Sequence, residues 1–189
     1  WIVIDLEHSA IGINQAERLI RVIDLAGSKP FVRLSGHDVS QIKRVLDAGA
    51  KGILAPMVET LHQTDSIISA CQYPPDGTRG MGLSRAQGYG ENSAKNKYIN
   101  ERVNEIEIYV QIESKKGLKN CKEIFSRNIS GYFIGPYDLS ASLNNPGKFD
   151  TDEFYNAEKI ILSAAKEEGI KCGYHLVEPD KDKITELND

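Results

Sequence analysis

The sequence predicts an α/β fold made of parallel strand–helix units, a (β/α)8 barrel that is incomplete. Three observations point there. Short apolar runs alternate with helical periodicity six times along the chain, the pattern of parallel βα units rather than hairpins. Polar residues stand at the C-terminal ends of the apolar runs: His8, Arg33, Glu113, Asp138 and His175. That end carries the chemistry in barrels of this kind. No run leads into the GxGxxG turn of a dinucleotide-binding sheet. Six strands are too few to close an eight-stranded barrel.

The elements follow in order. Trp1 to Leu6 is an apolar strand with Asp5, Glu7 and His8 at its end. Asn14 is placed to cap a helix whose Ala16, Leu19, Ile20, Ile23 and Leu25 recur at helical spacing, and Gly27 closes it. Phe31-Val32 is a short strand ending in Arg33. Asp38 caps a helix bearing Val39, Ile42, Val45 and Leu46, which ends at Gly49. Gly52 to Ala55 is a strand stopped by Pro56, and Glu59 to Cys71 is helical in pattern. Residues 73–100, rich in Gly, Pro, Asn and Ser, read as a long loop that can include a helical turn; loops of this length are usually functional or disordered. Glu107 to Glu113 is a strand, Gly117 to Phe125 a helix, and Ile129 to Ile134 a strand. Thr151 or Asp152 caps a helix running to Glu168. Ile170 to His175 is the last strand, and Pro179 to Leu187 begins another helix.

Composition narrows the class. With 189 residues, 40% hydrophobic and 26% charged, the chain fits one globular domain, residues 1–189, with no linker or low-complexity stretch. A net charge of −4 provides no basic stripe, which argues against nucleic acid as a partner. No apolar run approaches the ~20 residues of a membrane helix. Cys71, Cys121 and Cys172 are odd in number and never spaced as CxxC, so they read as buried thiols of a cytoplasmic protein. The chain begins at Trp1, already inside an apolar strand, and is expected to be part of a longer protein.

Two stretches carry the chemistry. Glu107-Ile-Tyr-Val-Gln-Ile-Glu113 alternates, with Tyr109, Gln111 and Glu113 on one face. Strands of a parallel sheet are covered on both faces, so Gln111 and Glu113 point inward at a strand end. A buried carboxylate needs compensation. Glu113 and Asp138, on successive strand ends, are expected to share a divalent cation. Two carboxylates leave about four octahedral positions open, which suits Mg²⁺, Mn²⁺ or Co²⁺. The plain alternative is a solvated Glu and a helix-capping Asp. In Tyr132-Phe-Ile-Gly-Pro-Tyr-Asp138, a strand stops at Gly135-Pro136 and a helix opens. The N–H groups of Tyr137, Asp138 and Leu139 at its N-terminus are suited to an anion. Arg33 offers a guanidinium fork for carbonyl or carboxylate oxygens; its alternative is a surface ion pair. A histidine side chain can move protons near neutrality, which makes His8 a candidate; a hydrogen-bonded structural role is its alternative. His37, His62 and His175 lack such context. Arg79 and Arg85, in the long loop, read as solvated arginines; guidance of an acidic substrate is the alternative.

Gln111-Ile-Glu113, Phe133-Ile-Gly-Pro-Tyr-Asp-Leu-Ser140, Tyr73-Pro-Pro-Asp-Gly-Thr-Arg-Gly80 and Asp5-Leu-Glu-His8 resemble the class II pyruvate-dependent aldolases of the HpcH/HpaI family, in the family's order along nearly the whole chain. The resemblance implies a barrel lacking here its first βα unit and its last strand and helix. It implies metal ligation by Glu113 and Asp138, and pyruvate binding with enolate stabilisation by Arg33. His8 is then the catalytic base, with Asp47 as its acidic partner from an adjacent subunit. Gln111 contacts the oxoacid, and Tyr137 and Asp138 hold its carboxylate. The assembly is a homo-oligomer, a hexamer. Two departures stand out: Ser130 where the family usually has Asp, and Asn144 where it usually has Gly. The implied reaction is reversible cleavage of a 4-hydroxy-2-oxo acid, either a 2-keto-3-deoxy sugar acid or 4-hydroxy-2-oxoheptanedioate, to pyruvate and an aldehyde. A citrate-lyase-β-like lyase of CoA thioesters and a catalytically silent pyruvate-binding protein are the alternatives. A Schiff-base aldolase is disfavoured, since no Lys lies inward near a strand's C-terminal end.

Overall fold

The structure is a computed structural model and describes residues 1–175 together with Lys181 and Thr185. Six strands form one sheet in sequence order, each parallel to the next. They are β1 (Ile2–Asp5), β2 (Pro30–Arg33), β3 (Gly52–Ala55), β4 (Glu107–Ile112), β5 (Gly131–Ile134) and β6 (Lys171–Tyr174). The helices between them are α1 (Ile13–Leu25), α2 (Val39–Ala48), α3 (Leu61–Cys71), α4 (Asn92–Asn100), α5 (Lys115–Phe125), α6 (Pro136–Ser142) and α7 (Asp152–Glu168). All but the last of the expected strand–helix alternations are present; the helix read over Pro179–Leu187 lies, apart from Lys181 and Thr185, outside the described residues.

The sheet curls into a half-barrel, and its inner face shows why. Phe31, Tyr109 and Phe133 stand inward on β2, β4 and β5, with ring centroids 5.9 and 5.7 Å apart. Trp1, at the start of β1, meets both Phe31 at 5.9 Å and Phe133 at 6.4 Å. A ring on the first strand can reach the fifth only if the sheet bends round. Glycines make room for the bulk: a Cβ at Gly52, Gly131 or Gly173 would collide with the ring of Phe31, Tyr109 or Phe133, each on the neighbouring strand. The opposite residues, including Ile4, Val32, Ile53, Val110 and Ile134, join Ile20, Leu46, Ile67, Ile124 and Ile161 of the helices in one buried core. The period of two along each strand thus separates an aromatic interior from an aliphatic, helix-covered exterior.

Local chemistry sets most boundaries. Asp38 accepts from the Gln41 N–H at 2.6 Å and Thr151 from the Phe154 N–H at 3.2 Å, both as expected of caps. Asn14 does not cap α1: the cap is Gly12, two residues earlier, whose N–H is taken by the Gln15 side chain at 3.0 Å. Ser130 accepts from the Ile108 N–H at 2.9 Å, so a hydroxyl oxygen ties β5 to β4 there. Asn144 has φ 65°, a left-handed position that Asn tolerates and Gly would occupy freely. The long loop is more ordered than its composition suggests. It holds 3₁₀ turns over Arg85–Gly90 and the helix α4, whose first N–H groups are capped by the Glu91 carboxylate. Cys71 and Cys121 are buried free thiols, but Cys172 is exposed, because β6 has a neighbour on one side only among the described residues. No helix among the described residues is long and apolar enough to cross a membrane.

Candidate active site

The C-terminal strand ends converge on a cavity of about 310 Å³, lined by His8, Arg33, Gln111, Gly135, Pro136, Tyr137, Asp138 and His175. Five of the seven site residues expected from the sequence and from the resemblance therefore line one mouth. Glu113 lies beneath it.

Arg33, at the end of β2, is paired across the ladder with Asp5 of β1. Its Nε and Nη2 donate to the two Asp5 carboxylate oxygens at 2.9 and 2.5 Å. Nη1 lies 3.4 Å from Glu7 Oε2. Asp5 also accepts from the N–H groups of Glu7 and His8. Burial works to raise its pKa, but the Arg33 bonds and these N–H groups win and hold it at about 2. The Arg33 fork is thus preset, with Nη1 turned away from Asp5. The His8 imidazole is largely exposed, its Nε2 3.6 Å from Glu7 Oε2.

Glu113 is almost wholly buried, at 2% exposure. Its Oε1 accepts from the Met57 N–H at 2.6 Å and its Oε2 from Gln111 Nε2 at 2.5 Å. Burial, with the negative charges of Glu7 and Asp138 adding to it, pushes the carboxyl up to about 7 despite those two donors. Gly135 is required here for space: a Cβ on it would collide with Glu113 Oε2 and approach Gln111 Nε2 to 2.9 Å. Asp138 does not cap α6. Gly135 is the N-cap and Asp138 is the third residue of the helix, exposed and without a hydrogen-bond partner among the described residues. Of the three N–H groups expected to be open, that of Leu139 is already bonded to the Gly135 carbonyl at 2.9 Å, leaving those of Tyr137 and Asp138.

Glu7 is a functional candidate that sequence reasoning passed over. Its Oε2 is buried with no hydrogen bond, and burial raises its pKa. The signal was present, since Glu7 follows Asp5 by two residues and so shares its inward face. A cation fits this surplus of negative charge. Glu113 and Asp138 are the residues that could hold it, the first being the carboxyl on which the charge of the second acts. Among the described residues no three His, Cys, Asp or Glu are placed to enclose a metal by themselves, so a cation here would complete its shell from water and substrate oxygens.

Asp47 is not brought to this mouth within the chain. Near the end of α2, its Oδ1 accepts from Arg79 Nη2 at 2.6 Å and Gln87 Nε2 at 3.2 Å. Arg79 is no solvated loop residue: it is fully buried between the rings of Tyr73 and Tyr98, at 4.9 and 5.5 Å, and bonds Tyr98 Oη at 2.9 Å. Arg85 likewise folds back, onto the Ala48 carbonyl and Asp24. Both arginines pin the long loop to the helices. His37 bonds the Pro56 carbonyl at 2.6 Å, and His62 is exposed on α3. A second hollow, of about 350 Å³, opens at the N-terminal strand ends, the face that serves stability in barrels. Of its charges, Lys29 pairs with Glu107 at 2.7 Å. Lys171 faces the barrel interior but at the start of its strand, and Lys51 pairs with Asp24 at 3.8 Å.

Fold and site together define a barrel-type α/β protein whose charged groups gather at the C-terminal mouth around one buried carboxylate. The chain belongs to the HpcH/HpaI aldolase/citrate lyase family, whose profile matches residues 1–187. It is 36% identical over 180 residues to a hydroxypyruvate/pyruvate aldolase of Rhizorhabdus wittichii, covering 91% of this chain and 70% of that protein. It is 35% identical over 181 residues to the 2-keto-3-deoxy-L-rhamnonate aldolase of Escherichia coli K12, covering 95% and 67%. The crystal structure of an HpcH/HpaI aldolase/citrate lyase family protein from Burkholderia cenocepacia superposes with a TM-score of 0.91 at 28% identity, over 100% of this chain and 74% of that one.

Proposed function

We propose that this chain is a divalent-metal-dependent aldolase that reversibly cleaves a 4-hydroxy-2-oxo acid to pyruvate and an aldehyde. The observation that carries the reading is Glu113, a buried carboxyl pushed up to about 7 beside Asp138 and Glu7, directly below a mouth that presents Arg33 and His8. The names of the two aldolase relatives support it. Glu113 and Asp138 hold Mg²⁺, Mn²⁺ or Co²⁺. When bound, the cation acts as a Lewis acid on the 2-oxo acid and acidifies the protons next to its ketone.

The chain's own groups do the rest. The open N–H groups of Tyr137 and Asp138 take the oxoacid carboxylate. Arg33, held by Asp5, directs Nη1 at the ketone oxygen and stabilises the negative charge that grows there. Gln111 closes the inner side. His8 moves the proton through its ring nitrogens, exposed at the mouth where the aldehyde leaves. Asp47 orients His8 of an adjacent subunit, which makes the working enzyme a homo-oligomer, a hexamer by family resemblance. The relatives are longer than this chain, and among the described residues β1 and β6 each have one open edge; a βα unit before β1 and a strand and helix after β6 would close the barrel. The compartment is the cytoplasm, and the hydroxy-oxo acid is a 2-keto-3-deoxy sugar acid or 4-hydroxy-2-oxoheptanedioate.

The test is exchange of the pyruvate methyl protons in deuterated water, followed by NMR. Exchange is expected to stop with a chelator and to return with Mg²⁺, Mn²⁺ or Co²⁺. His8→Ala should slow it by about 10²–10⁴-fold while pyruvate binding persists. Undiminished exchange in the chelated protein refutes the metal-dependent reading. Wild-type exchange by His8→Ala removes His8 from the mechanism.

A further inference from the structure

We propose that Met57 is a positioning residue for Glu113, acting through its backbone N–H, an inference that rests on the reading of Glu113 as a metal ligand. Met57 follows β3 and Pro56 and has φ 51°. Among the described residues, the other non-glycine residues with positive φ are Tyr89 and Asn144. Left-handed backbone is ordinary for Asn and unfavourable for an unbranched apolar side chain. Packing of the Met57 side chain does not explain it, since that residue is 43% exposed.

The turn is held from both sides. Before it, the Pro56 carbonyl accepts from His37 Nε2 at 2.6 Å; a carbonyl can only accept, so this bond fixes Nε2 as the protonated ring nitrogen. After it, the Val58 N–H donates to the Gln111 carbonyl at 3.2 Å, and the Val58 side chain is fully buried. Between these anchors the left-handed residue aims its N–H into the barrel, at 2.6 Å from Glu113 Oε1. Gln111 Nε2 holds the other oxygen at 2.5 Å. Each carboxylate oxygen therefore has one donor, the plane of the carboxylate is fixed, and each oxygen keeps a lone-pair direction for a ligand. Strained backbone that the surroundings over-determine is concentrated at functional sites. Here the observed consequence is the orientation of one buried carboxylate. Orienting partners of metal ligands commonly govern affinity.

The probe is Mn²⁺ alone, titrated by EPR into the full chain, with thermal melts of the metal-free protein as the control for folding. Replacing Met57 by its α-hydroxy acid exchanges the N–H for an ester oxygen and leaves the side chain in place. Mn²⁺ affinity should fall about 10–100-fold. Met57→Val should fall similarly, because a β-branched residue is excluded from this φ. Met57→Gly keeps the N–H, enters the left-handed region freely and should bind Mn²⁺ as the wild type does. Should Met57→Val fail to fold, the ester and the glycine variant decide between them. Unchanged affinity in the ester variant overturns the inference alone, and so does a loss in Met57→Gly as large as in the ester. A wild-type chain that binds no Mn²⁺ overturns the metal reading and this inference with it.

Discussion

Glu113→Gln tests the electrostatics of the site without any substrate. Moving a carboxyl from 4.5 to about 7 on folding corresponds to about 3 kcal/mol, at ~1.4 kcal/mol per tenfold change in proton affinity. Glu113 is 2% exposed, so solvent screening removes little of it. The sign follows from linkage. Below pH 4.5 the group is protonated in both folded and unfolded chains. As pH rises towards 7, the unfolded chain releases the proton and the folded chain retains it, so the wild type loses stability. Above 7 the full penalty is present. The amide variant cannot ionise, and its hydrogen bonds can be met. Its oxygen accepts from Met57, and a flip of the Gln111 amide offers the Gln111 Oε1 that is otherwise buried without a partner. Contributions from other groups, such as the lowered Asp5 carboxyl, largely cancel in the difference between the two proteins. Urea unfolding of both, kept metal-free with chelator, should show the variant gaining about 3 kcal/mol relative to wild type between roughly pH 4.5 and 8; in a separate titration without chelator the variant should not bind Mn²⁺. A difference independent of pH would refute the raised proton affinity and the surplus of negative charge that motivates a cation.

Two further outcomes follow from the geometry. Arg79→Met removes a fully buried cation from between two tyrosine rings and leaves Asp47 short of its main donor; urea unfolding should show a loss of about 2–4 kcal/mol, with Asp47 partly exposed and so below the full cost of a broken buried pair. A loss typical of a surface arginine, under ~0.5 kcal/mol, would contradict the burial. Gly135→Ala places a methyl group against Glu113 Oε2 and Gln111 Nε2; Mn²⁺ affinity should drop by about 10-fold or more in a chain that still melts cooperatively, and unaltered affinity would mean that the two side chains move aside freely.

Much of the fold was legible in the sequence because parallel βα units repeat a local signal. The apolar runs, the cap residues Asp38 and Thr151 and the strand-stopping prolines are written in neighbouring residues, and the structure follows them to within a residue or two. The residues of the mouth were legible for the same reason: strand ends in parallel units all point one way, so polar residues at those ends must gather. The long loop was less legible. Its order depends on Arg79, whose burial is decided by Tyr73, Tyr98, Asp47 and Gln87, residues up to dozens of positions away.

The sequence by itself determined the parallel architecture, the inward face of β4 and the identity of the charged groups at the mouth, since period-two alternation and strand polarity need only local rules. Tertiary structure alone decided how those groups are poised. Burial of Glu113 among like charges, the Arg33 fork set by Asp5 across the β1–β2 ladder, the commitment of Asp47 to Arg79 and the left-handed turn at Met57 all arise from groups far apart in the chain. Desolvation and Coulomb terms depend on distance in space, and no spacing along a sequence encodes them.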